Sequence, residues 1–168
     1  MAHKKLRILY LAQYLQEHSD EEHPVGMGDI LAYLEGLDLP AERKAVYDDL
    51  ELLRSFGMDI IHVRGKSHGY YLGQRTFELA ELKLLIDVVQ ASPFLTAKKS
   101  MELIRKLERL ASGPQARGLR RQVHVLDRVK THNEQLYYNI DGIHQAIGDD
   151  RQIRFRYFEW AADGIRRY

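Results

Sequence analysis

The 168-residue sequence predicts an α+β fold, mainly α. Three short helices and a β-hairpin come first, a helical segment follows, and a β-rich unit begins near the C-terminus. Three observations carry this. Apolar residues recur three and four apart through most of the chain. The β-type stretch IIHVRGKSHGYYLG interrupts them at 60–73, with a glycine at each end of its polar loop. A second such stretch, QIRFRYFEW, alternates at 152–160.

Taken in order, residues 4–18 place Leu6, Leu9, Ala12 and Leu15 on one face, with Ile8 and Leu11 beside them, as in an amphipathic helix. HSDEEHPVGMG is a polar break. Asp29 to Leu34 forms a second, shorter helix, and Gly36 is placed to end it. Asp38 is expected to cap a third helix, with Pro40 in its first turn. In that helix, within AERKAVYDDLELLRSFGMDI (41–60), Val46, Leu50 and Leu53 share a face and Gly57 closes the run. Arg43, Lys44, Tyr47, Asp48, Glu51 and Arg54 lie toward the other side. Ile60–Arg64 and Tyr70–Leu72 then flank GKSHG as a hairpin. Three helices and a hairpin in that order make an N-terminal winged helix-turn-helix, residues 1–75.

Residues 76–134 read as a helical linker and dimerisation segment. Thr76 is placed to cap a helix with a Phe77, Leu82, Leu85, Ile86 and Val89 stripe, broken at SPF (92–94). Lys98–Ala111 is built on Met101, Ile104, Leu107 and Leu110. SGPQARG reads as a loop and RRQVHVLDRVK as a strand or extended link. In 135–168, Leu136, Ile140, Ile143 and Ile147 keep helical spacing. QIRFRYFEW then alternates Ile153, Phe155 and Tyr157 against Arg154, Arg156 and Phe158, as a strand whose edge is unpaired.

Composition excludes several classes. There is no cysteine, hence no disulfide framework and no thiolate nucleophile. The basic start MAHKKLRILYLAQYLQ has helically spaced apolar residues and no cleavage site, unlike a signal peptide. No run is long and apolar enough to span a bilayer, so no membrane association is expected and a cytoplasmic location is the default. Residues 1–75 hold 9 Lys/Arg against 12 Asp/Glu, residues 76–135 hold 11 against 7, and residues 136–168 hold 5 of each. An acidic N-terminal unit is awkward for DNA, whose phosphates supply most non-specific affinity. Its cations are clustered, however, at Lys4, Lys5 and Arg7, at Arg43 and Lys44, and at Arg64 and Lys66. No cofactor is expected, since no Gly-rich phosphate loop occurs. The histidines, among them His18, His23, His124 and His132, are too scattered for a metal site. Asp48, Asp49 and Glu51 read as local ion pairs rather than catalytic acids, and no enzyme activity is expected.

Four stretches together resemble the bacterial WYL-domain transcriptional regulators with a DeoR-like winged-helix N-terminus. They are ERKAVYDDLELLRSFGMDI, the hairpin end GYYL, FELAELKLLIDVVQASPFLTAKKSMELIRKL and IRFRYFEW. The resemblance implies that IRFRYFEW opens a WYL effector domain, a small SH3-like β-barrel, of which this chain carries only the beginning. The family's Trp-Tyr-Leu triplet does not occur here, and its ligand pocket transfers to no residue of this chain. The effector is unidentified, with nucleotide or nucleic acid as the family's options. Many relatives read Tyr-Arg-Asp-Leu where this chain has Tyr-Asp-Asp-Leu, so Asp48 replaces a basic contact. A carboxylate there removes a phosphate or base contact, or accepts from a cytosine amino group.

These readings make a DNA-binding transcriptional regulator, its partners double-stranded DNA and a second copy of the chain. Arg43, Lys44 and Tyr47 are base or phosphate candidates, against the plainer reading of a solvated helix face. Arg64, Lys66 and His68 would touch a flanking phosphate or the minor groove, although exposed hairpins are commonly charged. Lys4, Lys5 and Arg7 would meet the backbone or simply solvate a helix start. Arg120, Arg121, Arg128 and Lys130 suit an interdomain or dimer surface better than a second nucleic-acid contact. The aromatic set Tyr137, Tyr138, Phe155, Tyr157, Phe158 and Trp160 is expected to be core in preference to a stacking site. The alternative function is a protein-interaction module whose winged helix no longer binds DNA.

Overall fold

The computed structural model describes residues 2–65, 68–121, 123, 130–155, 159–160 and 166–167. Helices α1 (Ala2–His18), α2 (Met27–Glu35) and α3 (Arg43–Phe56) precede an antiparallel hairpin of β1 (Ile60–Val63) and β2 (Gly69–Leu72). Helices α4 (Leu79–Ala91), α5 (Ala97–Glu108), α6 (Gly113–Arg120) and α7 (Gln135–Gly148) follow, then a short pair, β3 (Glu159–Trp160) and β4 (Arg166–Arg167). The fold is mainly helical.

The first core joins three helices and a hairpin. Leu11 and Leu15 of α1, Ile30 and Leu34 of α2, and Val46, Leu50 and Leu53 of α3 are buried together with Ile60 and Tyr70. On α1 the expected face is corrected: Leu6 and Leu9 are exposed, and Leu11, Tyr14 and Leu15 point inward beside half-buried Ile8. Two leucine rows interleave on this helix, and periodicity alone cannot say which meets α2 and α3. The hairpin pairs Ile60 with Leu72 and His62 with Tyr70, which fixes Ile60, Tyr70 and Leu72 on the inward side. Val25 bridges to the outer side of β2 through two backbone bonds with Tyr70, at 2.9 and 2.8 Å. That approach requires glycine at 69, where a Cβ would lie 2.6 Å from the Val25 carbonyl oxygen.

Helix starts differ from expectation. Asp38 does not cap α3 but takes a left-handed turn, φ 56°, after α2, while α3 begins at Arg43, behind Pro40 and Glu42. Thr76 does not cap α4; the backbone N–H of Glu78 is accepted by the Glu81 carboxylate at 2.9 Å instead. SGPQARG is not a loop: Ser112 accepts from the Gln115 N–H, a proline sits in the first turn, and α6 results. Gly57, by contrast, closes α3 as expected, at φ 107°.

A second core gathers Leu82 and Ile86 of α4, Ile104 of α5, Ala111, and Leu119 of α6. Leu85, expected in the stripe, instead faces outward with Leu84 and Val88. Lys130 is not a surface cation: its ammonium donates to the carbonyls of Val89 and Ser92, both at 2.8 Å, and to Ser100 Oγ at 2.9 Å. A cation on the last carbonyls of α4 complements the helix dipole. Most of RRQVHVLDRVK lies outside the described residues.

The two cores meet at a polar joint. Ser19 Oγ donates to the Leu15 carbonyl and accepts from the Leu72 N–H, at 2.6 and 3.1 Å. Asp20, buried beside it, accepts from Ser112 Oγ, the cap of α6. Burial raises the Asp20 pKa, but hydrogen bonds from Ser112 and His23 outweigh it and hold the carboxyl below its ordinary value.

QIRFRYFEW is not one strand. Residues 151–155 are irregular, with Ile153 and Phe155 exposed; residues 156–158 lie outside the described residues, and the pairing is between β3 and β4 within the chain. The expected unpaired edge is therefore corrected at Glu159–Trp160.

Candidate nucleic-acid interface

Helix α3 sorts its residues by depth. Val46, Asp49, Leu50 and Leu53 are buried, whereas Arg43, Lys44, Tyr47 and Asp48 are exposed on its N-terminal half. No hydrogen bond or ion pair engages the Arg43, Lys44 or Asp48 side chains among the described residues. The open face is shorter than the sequence suggested. Arg54 donates to the Ile60 carbonyl at 2.9 Å and pairs with Glu51, fastening the end of α3 to β1.

Asp49 is not part of a local pair within its helix. Its Oδ2 accepts from Arg7 Nε of α1 at 2.6 Å, the two side chains being 2% and 12% exposed. Arg7 also reaches the Ala45 carbonyl, at 3.4 Å. This removes Arg7 from the phosphate candidates, since its guanidinium is turned into the α1–α3 contact. Lys5 is exposed near the start of α1, while the side chain of Lys4 lies outside the described residues.

Tyr47, 46% exposed, reaches the hairpin. Burial first, and Tyr47 next, raise the pKa of the Tyr70 phenol. His62 stacks on Tyr70, ring centroids 4.6 Å apart, and His68 meets His62 edge-on at 5.0 Å. The His62 pKa is lowered by burial, then by His68, Arg64 and Arg54. Its Nε2 is buried without a hydrogen-bond partner among the described residues. A row Tyr47–Tyr70–His62–His68 thus runs from α3 to the hairpin tip, where Arg64 is exposed beside Gly65 at φ 126°. Lys66 lies outside the described residues. Sequence reasoning did not single out Tyr70 and His62. Strand alternation puts them on the inward side with Ile60 and Leu72, where buried Tyr70 braces the hairpin against α3 instead of adding to the exposed surface.

Elsewhere, the described members of the C-terminal aromatic set are not core as expected. Tyr137, Tyr138 and Phe155 are exposed, and Lys99 lies 4.9 Å from the Tyr137 ring centre beside a cleft of about 220 Å³. Tyr157 and Phe158 lie outside the described residues, as does the Trp160 side chain. Among the described residues no group of three or more His, Asp or Glu side chains is placed to hold a metal ion, and no helix is long and apolar enough to cross a membrane.

Compared with known proteins, the chain matches no family model, no curated protein and no solved structure.

Proposed function

We propose that residues 1–75 form a winged helix-turn-helix and that the chain is a sequence-specific DNA-binding regulator. The observation that carries this reading is the division of α3. Its buried face is fixed in the core through Leu50 and through Asp49 on Arg7, while Arg43, Lys44 and Asp48 stand free at its N-terminal half and Tyr47 is exposed beside Tyr70 of the hairpin. A helix entering the major groove reads bases from that half. Arg64 on the following hairpin supplies a second cation for a flanking phosphate. Glu42 places no side-chain cap on α3, so the first-turn N–H groups are also open to a phosphate oxygen.

In this proposal two copies act together, because winged-helix sites commonly come as half-sites about one helical turn apart. The outward apolar residues of α4, Leu84, Leu85 and Val88, are the proposed dimer face. Residues 135–168, through their resemblance to the start of a WYL domain, would open a ligand-sensing unit. In vitro selection of duplex sequences by the chain tests the reading; enrichment of a motif is expected, and a flat pool refutes it.

A second reading has an observation of its own. The net charge of residues 1–75 is −3, from 9 Lys/Arg and 12 Asp/Glu, and exposed Asp48 sits among the candidate contacts. That favours a protein-interaction module. Binding through phosphates weakens steeply as salt rises, whereas partner-protein binding need not, so a salt titration separates the two.

A further inference from the structure

The strongest positive charge on this chain is not in α3. Residues 97–121 hold eight Lys/Arg against two Asp/Glu, a net of +6. Arg105, Lys106 and Arg109 lie at the end of α5, and Arg117, Arg120 and Arg121 at the end of α6, all exposed. Arg105, Arg109 and Arg120 line one open groove of about 520 Å³, floored by Met101, Val123 and Glu108. Glu108 is buried and accepts from Arg120 Nε at 2.7 Å, which neutralises one arginine and fixes its position. Arg105, Arg109 and Arg121 have no ion-pair partner among the described residues.

Helix-dipole complementarity accounts for a cation in the last turn of each helix, but not for six. A self-complementary dimer through this face would set arginine against arginine, since a two-fold interface brings the same patch to itself. Pairing with the acidic N-terminal unit of another copy would be head-to-tail and would not close as a dimer. What the face does fit is a run of phosphates: guanidinium groups at two levels along a groove, with planar donors that take phosphate oxygens in pairs.

We propose that the α5–α6 arginine face is a second nucleic-acid contact, binding the phosphate backbone without reading sequence. It builds on the DNA-binding reading above by supplying the charge that residues 1–75 lack, and it can be tested apart from that reading.

The experiment uses the full chain and measures affinity for a random 20-base-pair duplex, roughly two helical turns, across a salt series. Wild type is compared with R105Q/R109Q and with R105K/R109K; Arg120 is left intact because Glu108 needs it. The Gln pair should lower the slope of log affinity against log salt by about two units, one per lost phosphate contact, and the Lys pair should restore it. Inorganic phosphate at millimolar concentration should compete only weakly; full competition would mean a small-anion site and would overturn the backbone assignment. An unchanged slope in a Gln pair with wild-type circular dichroism would also overturn it, as would absence of duplex binding at low salt. Preference for a selected sequence over the random duplex is measured alongside. If wild type shows no preference but the Gln pair loses slope, the regulator reading fails and this inference stands. If preference is present and the slope is unmoved, the reverse holds.

Discussion

Arg43 and Tyr47 both face outward on α3, but they are differently constrained. Arg43 makes no side-chain bond among the described residues, so Arg43→Ala tests DNA contact alone. A bidentate Arg–guanine contact contributes about 1–3 kcal/mol, so operator affinity should drop about tenfold or more with the fold intact. Unchanged affinity would remove Arg43 from the interface. Tyr47 stands beside Tyr70, and truncating it to Ala would disturb the hairpin as well; Tyr47→Phe is the cleaner probe of its hydroxyl. Asp48→Arg should strengthen non-specific binding and raise the salt slope by about one unit. A slope equal to wild type would mean that position 48 faces away from DNA. The Arg7–Asp49 pair is almost wholly buried, so removing one partner strands the other. Asp49→Leu is expected to cost about 3–5 kcal/mol, and adding Arg7→Met should recover much of that. Additive losses in urea unfolding would show the two groups to be uncoupled.

At the scale of elements, the hairpin carries a pH dependence of defined sign. The His62 pKa is lowered below its ordinary 6.5, so the unfolded chain takes up the proton first as pH falls. Stability from this group is present above that value and is lost as pH falls from there toward the folded pKa. Between pH 7.5 and 5.5, wild type should therefore lose more stability than His62→Phe; equal losses would assign the dependence elsewhere. The elements themselves were legible where pattern and punctuation agreed. In α3, Val46, Leu50 and Leu53 mark the inward face and Gly57 supplies the left-handed stop. In α6, two glycines disguised a helix that its Ser112 cap and Pro114 start, and on α1 two leucine rows competed for one face. The open half of α3 was readable as well. Arg7 was not, because its partner Asp49 lies 42 residues away and no local spacing reveals a tertiary ion pair.

For the whole molecule, the proposed dimer rests on α4. Val88 is 66% exposed beside Leu84 and Leu85, and Leu103, Leu107 and Leu110 continue the apolar groove toward α5. Val88→Glu should turn a dimer into a monomer without unfolding it, because the side chain points away from Ile86 and Ile104 in the core. Light scattering reads the change; a monomeric wild type at about 10 µM would exclude all but a weak interface.

The arginine face bears on how the protein behaves alone in solution. Segments 1–75 and 97–121 carry net charges of −3 and +6 on one chain, so charge is unevenly divided along the sequence although its total is only +1. At low ionic strength the Debye length reaches roughly 30 Å, and the acidic segment of one molecule attracts the arginine face of a neighbour. Near 0.15 M it falls to about 8 Å and that attraction is screened. Turbidity should therefore be greatest in dilute buffer and clear as sodium chloride is added, a salting-in response contrary to that of a protein that aggregates through apolar patches.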